Sequence, residues 1–496
     1  MLAASHVPSF AQENTAKPGG RFRVAIGQAH TSDNLDPSRV ATNFQINIQY
    51  ALRNYLVEVN SRNELVGELA ESWEPSADGK LWSFRIRKGV EFHNGKPLTP
   101  QDVAASIEFH RSEQSTSGAK ALLKPIDRIA ADGDRVNFHL AETIADFAYY
   151  LFHFQLSILP ADGDGKVDWE SGVGTGGYVL QAFQPGINLR AKKNPNYWKA
   201  NAAHFDEIEL IAMPDVSART NALTSGEIDA MDECDPRTAS LFKKTDGVVL
   251  EEVPGIETQL LPMDMTVAPF NNNDVRLALK YAMDREAYIK LILRGYGTMG
   301  NDTPIAPFMP FHAELPQRTY DPEKAKFHLK KAGLGSLKVP LHAADIFPRA
   351  TDAALVYKEF AAKAGIEIDV VRESADDFWS NVWLVKPFVV SNWTARAVPD
   401  MILTEAYKCG AAWNETKMCN EKFDRLLAEA RSTMDNPKRV ELYREIQEIL
   451  RDEGGSIVPA FNSLLFARSA KVRRGDGLTS NYALDGYRAT ERWWFA

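Results

Sequence analysis

The sequence predicts an α/β protein whose domains are assembled from non-contiguous segments of the chain. Strand-like alternation and capped helical patterns are mixed along the whole sequence without strict βαβ order, which is typical of this class. The chain has 496 residues, which is too long for one ordinary hydrophobic core and corresponds to roughly three domains. No short-period repeat and no low-complexity block interrupts the pattern.

The first clear strands lie in an early hairpin. Residues 81–87 alternate between apolar and polar side chains, as in a strand with one buried face. Residues 76–79, Ser-Ala-Asp-Gly, are a turn signal between this strand and the segment before it. Thr99 then predicts a helix cap, with Pro100 at the first helical position and Asp102 in the first turn.

Later segments predict helices with one apolar face. Asn273 and Asp274 begin one such helix. Residues 421–432 and 437–452 predict an αα-hairpin, with Asn436 as the cap of its second helix. The buried stripe of that helix is expected to be Val440, Tyr443, Ile446, Ile449 and Leu450.

Charge and hydropathy exclude several classes of function. The net charge is −9 with both signs interspersed, which disfavours nucleic acid as a partner because phosphate binding requires a basic face. No apolar run reaches the ~18 residues of a membrane-spanning helix. Residues 8–11 resemble the end of a signal peptide, so residues 1–19 are expected to be a residual export signal or disordered, in a protein exported to the periplasm. The alternative is an ordinary disordered N-terminus.

The cysteine pattern fits an oxidising compartment. Cys409 and Cys419 flank a turn-rich segment that could bring them together, whereas Cys234 stands apart. A disulfide closing so short a loop would stabilise the fold by roughly 3 kcal/mol, although two unrelated thiols remain the alternative. No His or Cys lies at zinc spacing, so neither a metal nor a cofactor is predicted.

No motif of an enzyme is visible. The sequence contains no His-Glu-x-x-His and no Gly-x-Ser-x-Gly, and we predict that the protein is not an enzyme. The glycine-rich residues 172–177 are not a phosphate-binding loop, because no Gly-Lys-Ser/Thr follows and the next segment is strand-like. We expect them to bend the backbone at a domain junction, and we interpret His93 as a residue of the fold.

The segment most typical of a binding site is residues 389–400. An apolar strand there breaks into a turn that carries Trp393, Thr394 and Arg396, which is how a scaffold commonly delivers polar groups to a pocket. The alternative is that Trp393 is a core residue and Arg396 a surface charge. Trp379 and Trp383 have helical i, i+4 spacing and are interpreted as packing residues.

Four ordered blocks carry a resemblance to a known family. They are LAESWEPSADGKLWSFRIRKGVEFHNGKPLTPQDVAAS at residues 69–106, TGGYVL at 175–180, NPNYW at 194–198, and the helix at 274–285. Together these blocks resemble the family 5 extracellular solute-binding proteins, the peptide-, opine- and nickel-type receptors of bacterial ABC importers. The resemblance extends over residues 20–495.

The resemblance implies a two-lobed periplasmic-binding-protein-like fold (type II, cluster C) with an extra domain. By position, lobe I takes residues 20–58, 175–262 and 470–496, the extra domain residues 59–174, and lobe II residues 263–469. It also implies a monomer that captures a peptide or peptide-like solute by hinge closure and delivers it to an ABC permease in the inner membrane. The alternative is a receptor for a non-peptide anion such as an opine or an organic chelate.

The resemblance also indicates a binding site with an unusual charge. In related peptide receptors the loop matching residues 393–396 holds an aspartate that pairs with the ligand's ammonium, whereas Arg396 stands here. We therefore expect the ligand to present an anionic group. A second anchor of the family, an arginine, maps near Ala344, with Arg349 as the alternative. The predicted ligand-binding residues are Arg396, Trp393, Thr394, Asn392, Trp413 and Ser32.

Overall fold

The computed structural model describes residues 18–347, 349–393 and 396–496. The predictions for the residual export signal before residue 18 and for Thr394 lie outside these ranges. Within them, no helix is both long and apolar enough to cross a bilayer.

The secondary structure mixes strands and helices along the whole chain, as predicted. The strands are β1 (Arg21–Ile26), β2 (Val57–Val59), β3 (Leu65–Gly67), β4 (Ala70–Pro75), β5 (Leu81–Ile86), β6 (Ile126–Asp132), β7 (Arg135–Leu140), β8 (Tyr178–Gln184), β9 (Asn188–Lys193), β10 (Glu207–Ala212), β11 (Ala230–Met231), β12 (Val248–Pro262), β13 (Gly297–Met299), β14 (Leu337–Ala343), β15 (Ile366–Arg372), β16 (Ser391–Trp393), β17 (Ser456–Ser469), β18 (Val472–Arg473) and β19 (Trp494–Phe495). The helices are α1 (Asn43–Leu52), α2 (Pro100–Arg111), α3 (Phe147–Tyr150), α4 (Val216–Ser225), α5 (Ala239–Phe242), α6 (Asn273–Tyr281), α7 (Arg285–Leu291), α8 (Pro322–Lys331), α9 (Ala350–Ala362), α10 (Pro399–Ala406), α11 (Glu421–Ser432), α12 (Asn436–Asp452), α13 (Ala483–Gly486) and α14 (Ala489–Arg492).

The first hydrophobic core is built from both ends of the chain. Phe22 of β1 stacks on Phe205 with ring centroids 4.3 Å apart, and Trp493 packs against Phe22 and Phe466. Trp493 and Phe22 are fully buried. The C-terminal aromatic residues thus pack on the strand at the start of the chain, and the strands β10, β1 and β11 carry this core in parallel register.

A second core lies in one contiguous stretch. The strands β4, β5, β7 and β6 form an antiparallel sheet in that order, and the predicted hairpin is its β4–β5 pair. Helix α2 packs on this sheet and is capped by Thr99, whose side chain accepts from the backbone N–H of Asp102. The buried core residues of this part of the chain run from Leu56 to Ile158, and we call it the contiguous body.

The remaining cores lie in the second half of the chain. One is formed by α6–α9 with β14 and β15, and a neighbouring one by α10–α12. The αα-hairpin is confirmed, but its cap and stripe differ from the prediction. The side chain of Asp435, not Asn436, accepts from the first helical turn, and Val440 is 51% exposed because Arg439 takes the inward position there. The predicted domain boundaries remain a prediction.

Two long antiparallel strands, β12 and β17, connect the first core with those of the second half. Val253 of β12 lies in the first core, whereas Leu261 lies in the core of α6–α9. In β17, Phe466 lies in the first core and Ile457 lies in the core of α6–α9. The pairing of the two strands shifts register between Pro254 and Thr258, so the connection is least regular midway between the cores.

The contiguous body also contacts the second half of the chain directly. The Tyr150 hydroxyl donates to Asp400 Oδ2 at 2.7 Å. Arg439 pairs with Asp146, and both side chains are buried. The backbone N–H of Ala145 donates to the carbonyl of Arg431 at 2.8 Å. These contacts hold the two bodies together in the observed arrangement.

Candidate ligand-binding site

The candidate site lies where the parallel strands of the second half end. β14 and β15 run parallel, and His342 of β14 forms a parallel bridge to Val389. The segments that follow β14 and β15 begin at residues 344 and 373, and Val389 lies beside the end of β14, so the three segments meet at the same edge. The carboxyl edge of parallel strands is where α/β proteins commonly bind ligands.

Four aromatic side chains gather at this edge, and we call them the tryptophan cluster: Trp379, Trp383, Trp393 and Trp413. Their ring centroids are 5.4 Å apart for Trp379 and Trp383, 6.5 Å for Trp383 and Trp413, and 5.9 Å for Trp393 and Trp413. Trp379 is 51% and Trp413 is 44% exposed. The cluster thus presents an open aromatic surface that offers large contact area at a low cost in side-chain entropy.

Glu415 lies at the centre of this cluster. Trp383 Nε1 donates to its Oε1 at 2.6 Å, and Trp393 Nε1 donates to its Oε2 at 2.7 Å. Burial raises the pKa of the Glu415 carboxyl, against the hydrogen bonds from the two indoles. Among the residues that the structure describes, no Lys, Arg or His pairs with it. A carboxyl held by neutral donors alone keeps its charge uncompensated when ionised.

The loop that carries Glu415 is fixed by its own contacts. A disulfide joins Cys409 to Cys419. The Asn414 side-chain amide donates to the carbonyls of Met418 at 2.8 Å and Lys408 at 3.1 Å. The loop is therefore tied across its base, and Trp413 and Glu415 project from a well-defined turn.

Arg396 lies on the other side of Trp393. Its Nε donates to Glu405 Oε2 at 2.8 Å, and its guanidinium carbon lies 5.8 Å from the Trp393 ring centroid. Burial, with the charge of Arg396 as a smaller cause, lowers the pKa of His153 to about 3. Burial likewise raises the pKa of Tyr482 to about 12, against the opposing charge of Arg396. Arg396 therefore lies where all three bodies approach one another.

Two acidic residues, Glu233 and Glu257, lie next to the same region. Glu233 follows β11 of the first core, and Glu257 lies in the connecting strand β12. Burial raises the pKa of Glu257 to about 7, and the nearby charge of Glu233 adds to this rise. Glu257 accepts from Asn462 Nδ2 at 3.1 Å. The rings of Tyr482 and Tyr487 stack with centroids 5.3 Å apart, and burial and the charges of Asp232, Glu233 and Glu257 raise the pKa of Tyr487.

The predicted site residues are only partly brought together. Trp393, Trp413 and Arg396 lie side by side. Asn392 pairs with Gln259 in the β16–β12 ladder, and its side chain points away from Trp393 because neighbours in a strand face opposite sides. Ser32 is exposed in a turn with His30, 2.7 Å from its Nδ1, and within the described ranges it makes no hydrogen bond to the tryptophan cluster. Their contacts with a ligand stay predictions.

Three expectations about neighbouring residues need correction or completion. Trp379 and Trp383 do not simply pack. Trp379 lies within the short π-helix turn Phe378–Val382 with its ring half exposed, and Trp383 follows the turn and donates its indole N–H to Glu415. Ala344 is buried, and Arg349 donates to the carbonyls of Leu291 and Ile292 at the end of α7. Neither of these two residues provides an anchor within the tryptophan cluster.

Glu415 and Glu405 were missed by sequence reasoning. The only local signal for Glu415 was a carboxylate beside a tryptophan in a loop bounded by two cysteines. The Arg396–Glu405 pair joins a loop to the following helix α10, and a partner nine residues away in such a connection has no sequence signature.

Two sets of cores joined by β12 and β17, with an aromatic and charged cluster at the carboxyl edge of parallel strands, have the architecture of a solute-binding protein. The chain belongs to the bacterial extracellular solute-binding proteins of family 5, whose middle-region model matches residues 64–414. This confirms the family and the two-lobed fold with a mixed α/β sheet.

Individual proteins are similar over most of the chain. The dipeptide-binding protein of Escherichia coli (strain K12) is 28% identical over 453 residues, covering 83% of this chain and 84% of the relative. The structure of HbpA2 from Haemophilus parasuis has a TM-score of 0.83 at 24% identity, over 94% of this chain and 99% of that chain. The periplasmic binding protein DppA from Helicobacter pylori, solved with the peptide STSA, has a TM-score of 0.76 at 23% identity, over 96% and 98%.

Proposed function

We propose that this protein is the periplasmic solute-binding component of an ABC importer and captures a peptide or peptide-like solute between its lobes. The observation that carries the proposal is the placement of the tryptophan cluster and Arg396. They lie at the carboxyl edge of one lobe, where Tyr482 of the other lobe and His153 of the contiguous body are close to Arg396. The similar dipeptide-binding and peptide-bound proteins support a peptide-type ligand over a non-peptide anion.

Closure takes place about the connecting strands. β12 and β17 are the continuous link between the cores, and their register shift at residues 254–258 is the natural point of bending. A ligand that touches both lobes has contacts in the closed state that it lacks in the open one. That difference in binding free energy shifts the population towards the closed form, which the inner-membrane permease then recognises. The monomer is the working unit, and the ligand is released unchanged.

Arg396 supplies the anion-binding group of the site. A guanidinium presents donors in a planar fork that matches a carboxylate. The side chain is already oriented by Glu405 and by the Trp393 ring, so a ligand carboxylate would join or displace Glu405. The ligand therefore carries an anionic group, such as the C-terminal carboxylate of a peptide.

The test compares two arginines in a peptide-binding titration. Dipeptides selected by a thermal-shift screen are titrated calorimetrically, each with a free and with an amidated C-terminus. Arg396→Gln should raise the Kd of the free peptide at least tenfold, which is about 1.4 kcal/mol, and change that of the amide little. Arg349→Gln is the matched control and should leave both unchanged.

Two results would contradict this assignment. If Arg396→Gln binds all peptides like the wild type, Arg396 does not hold the ligand. If Arg349→Gln alone weakens the free peptide, the anchor lies at the end of α7 instead. A protein that binds no peptide but is stabilised by neutral sugars would overturn the peptide proposal itself, because only a ligand of the native state raises its melting temperature.

A further inference from the structure

We propose that Glu415, together with Trp383, Trp393 and Trp413, binds a cationic group of the ligand, a primary ammonium or a guanidinium. The ligand would then be a short zwitterion, with its cation at Glu415 and its anion at Arg396. This inference rests on the proposed function and specifies the charge pattern of its ligand.

The first argument is the state of the Glu415 carboxyl. Each oxygen accepts one indole N–H, at 2.6 and 2.7 Å, and each retains a second lone pair for another donor. Neutral donors do not neutralise a carboxylate, and burying an uncompensated charge is costly. A glutamine, an asparagine or a backbone carbonyl could have satisfied the two indoles without that cost. A carboxylate is needed only if a cation joins it.

The second argument is the aromatic surface around it. Cations are attracted to the faces of tryptophan rings, more strongly where water is excluded. Trp383 and Trp393 hold the carboxylate, and Trp413 lies 6.5 and 5.9 Å from them with 44% of its surface exposed. A carboxylate enclosed by indole rings is the chemistry that recognises an organic ammonium, and the exposed ring of Trp413 gives such a group a way in.

The third argument is the distance between the two charges. Glu415 contacts the Nε1 end of the Trp393 indole, and Arg396 lies against the ring of the same residue. A ligand that spans one indole needs only about two or three residues at ~3.5 Å each. The two groups can therefore bind the opposite termini of one short molecule.

The acidic pair of Glu233 and Glu257 is the competing place for a cation. Burial raises the pKa of both carboxyls, and Asn43 and Asn462 are their hydrogen-bond donors. The stacked rings of Tyr482 and Tyr487 lie near this pair, but within the part of the chain described no indole N–H donates to either carboxyl, in contrast to Glu415. Glu257→Gln is therefore the matched control for Glu415→Gln.

The first experiment uses a simple probe and does not depend on the natural ligand. n-Butylammonium is titrated into ¹⁵N-indole-labelled protein, with n-butanol as the neutral counterpart. The indole N–H signals of Trp383 and Trp393, assigned with Trp383→Phe and Trp393→Phe, should shift with the ammonium and not with the alcohol. Glu415→Gln should weaken that binding at least tenfold, and Glu257→Gln should not. Equal responses to both probes, or loss in Glu257→Gln alone, would overturn the proposal.

The second experiment uses the dipeptides of the functional screen with free and N-acetylated termini. The wild type should prefer the free terminus at least tenfold, and Glu415→Gln should abolish this preference. A purely structural role for Glu415 would lower the melting temperature and leave the preference intact. Equal affinity of the wild type for the free and the N-acetylated peptides would contradict the cation site. It would leave the proposed function unaffected. If no peptide binds, the proposed function fails and the butylammonium titration still decides the role of Glu415.

Discussion

Gly174 and Gly176 are needed because other parts of the backbone lie directly against them. The backbone N–H of Gly176 donates to the Leu52 carbonyl at the end of α1, at 3.0 Å. His93 holds the same run, with its Nε2 3.0 Å from the Gly176 carbonyl oxygen. The glycines therefore allow close approach between α1 and this run, and the backbone also bends at residues 175–177, as predicted.

We predict that Gly176→Ala destabilises the protein. The added Cβ would lie 2.4 Å from the Leu52 carbonyl carbon and 2.6 Å from the Arg53 nitrogen, and backbone atoms cannot move aside cheaply. The free energy of unfolding should fall by about 2 kcal/mol or more, as measured by urea denaturation. Gly163→Ala, whose Cβ meets nothing within 4 Å, should change it by no more than about 0.5 kcal/mol. Equal stability of the two variants would contradict the close-approach explanation.

Whether the sequence alone predicts a contact between two residues depends on how far apart they are along the chain. Trp393 and Arg396 are near neighbours, and their association was predicted from one loop. Glu415 meets Trp383 across 32 positions and Trp393 across 22. Those contacts exist only after β15, β16 and the disulfide loop have assembled, and no local pattern encodes such an assembly.

Helix α2 shows what local signals do determine. Its capping box, Thr99 with Asp102, and its first-turn proline were readable from four residues, because capping is satisfied within one helical turn. The register of α12 was readable too, but its cap was misplaced by one residue. Asp435 and Asn436 are both good caps, and only the assembled chain decides between them.

The buried end of α2 makes stability depend on pH. His110 is fully buried, with its Nδ1 2.8 Å from Ser117 Oγ, and burial lowers its pKa to about 4. The unfolded chain, with an ordinary pKa of about 6.5, takes up a proton first as the pH falls. Stability should therefore be lost between pH ~6.5 and ~4, by about 1.4 kcal/mol per unit.

Urea denaturation at several pH values tests this dependence. His110→Gln should flatten the loss of stability between pH 6.5 and 4, and His153, whose pKa burial lowers to about 3, should account for part of the remainder. His30→Gln, at an exposed histidine, should leave the slope as in the wild type. An unchanged slope in His110→Gln would show that folding does not lower the pKa of His110.

The whole molecule is held in its observed arrangement by contacts that opening would break. Asp146 and Tyr150 belong to the contiguous body, and their partners Arg439 and Asp400 belong to the second half of the chain. The two-lobed plan could be predicted from the family resemblance. The two contacts between the contiguous body and the second half could not be predicted, because each joins side chains 250 or more positions apart.

We predict that Tyr150→Phe shifts the molecule towards the open state. The variant loses the 2.7 Å bond to Asp400, and a hydrogen bond to a charged group contributes about 1.5–3 kcal/mol. The Kd of a bound peptide should rise about tenfold or more, and X-ray scattering should show a larger radius of gyration without ligand. Tyr320→Phe loses a 2.8 Å bond to the Phe360 carbonyl within the second half and should change neither quantity. Matching behaviour of the two variants would argue against a closure contact.

The position of Trp493 has a consequence for how the protein is made. Phe22 cannot complete its core until Trp493 has been synthesised, whereas the fully buried residues of the second core all lie between Leu56 and Ile158. Folding on the ribosome should therefore yield the contiguous body first and leave the first lobe open until translation is nearly finished. A nascent chain in this condition still exposes the apolar side chains of β1, the kind of surface that chaperones bind.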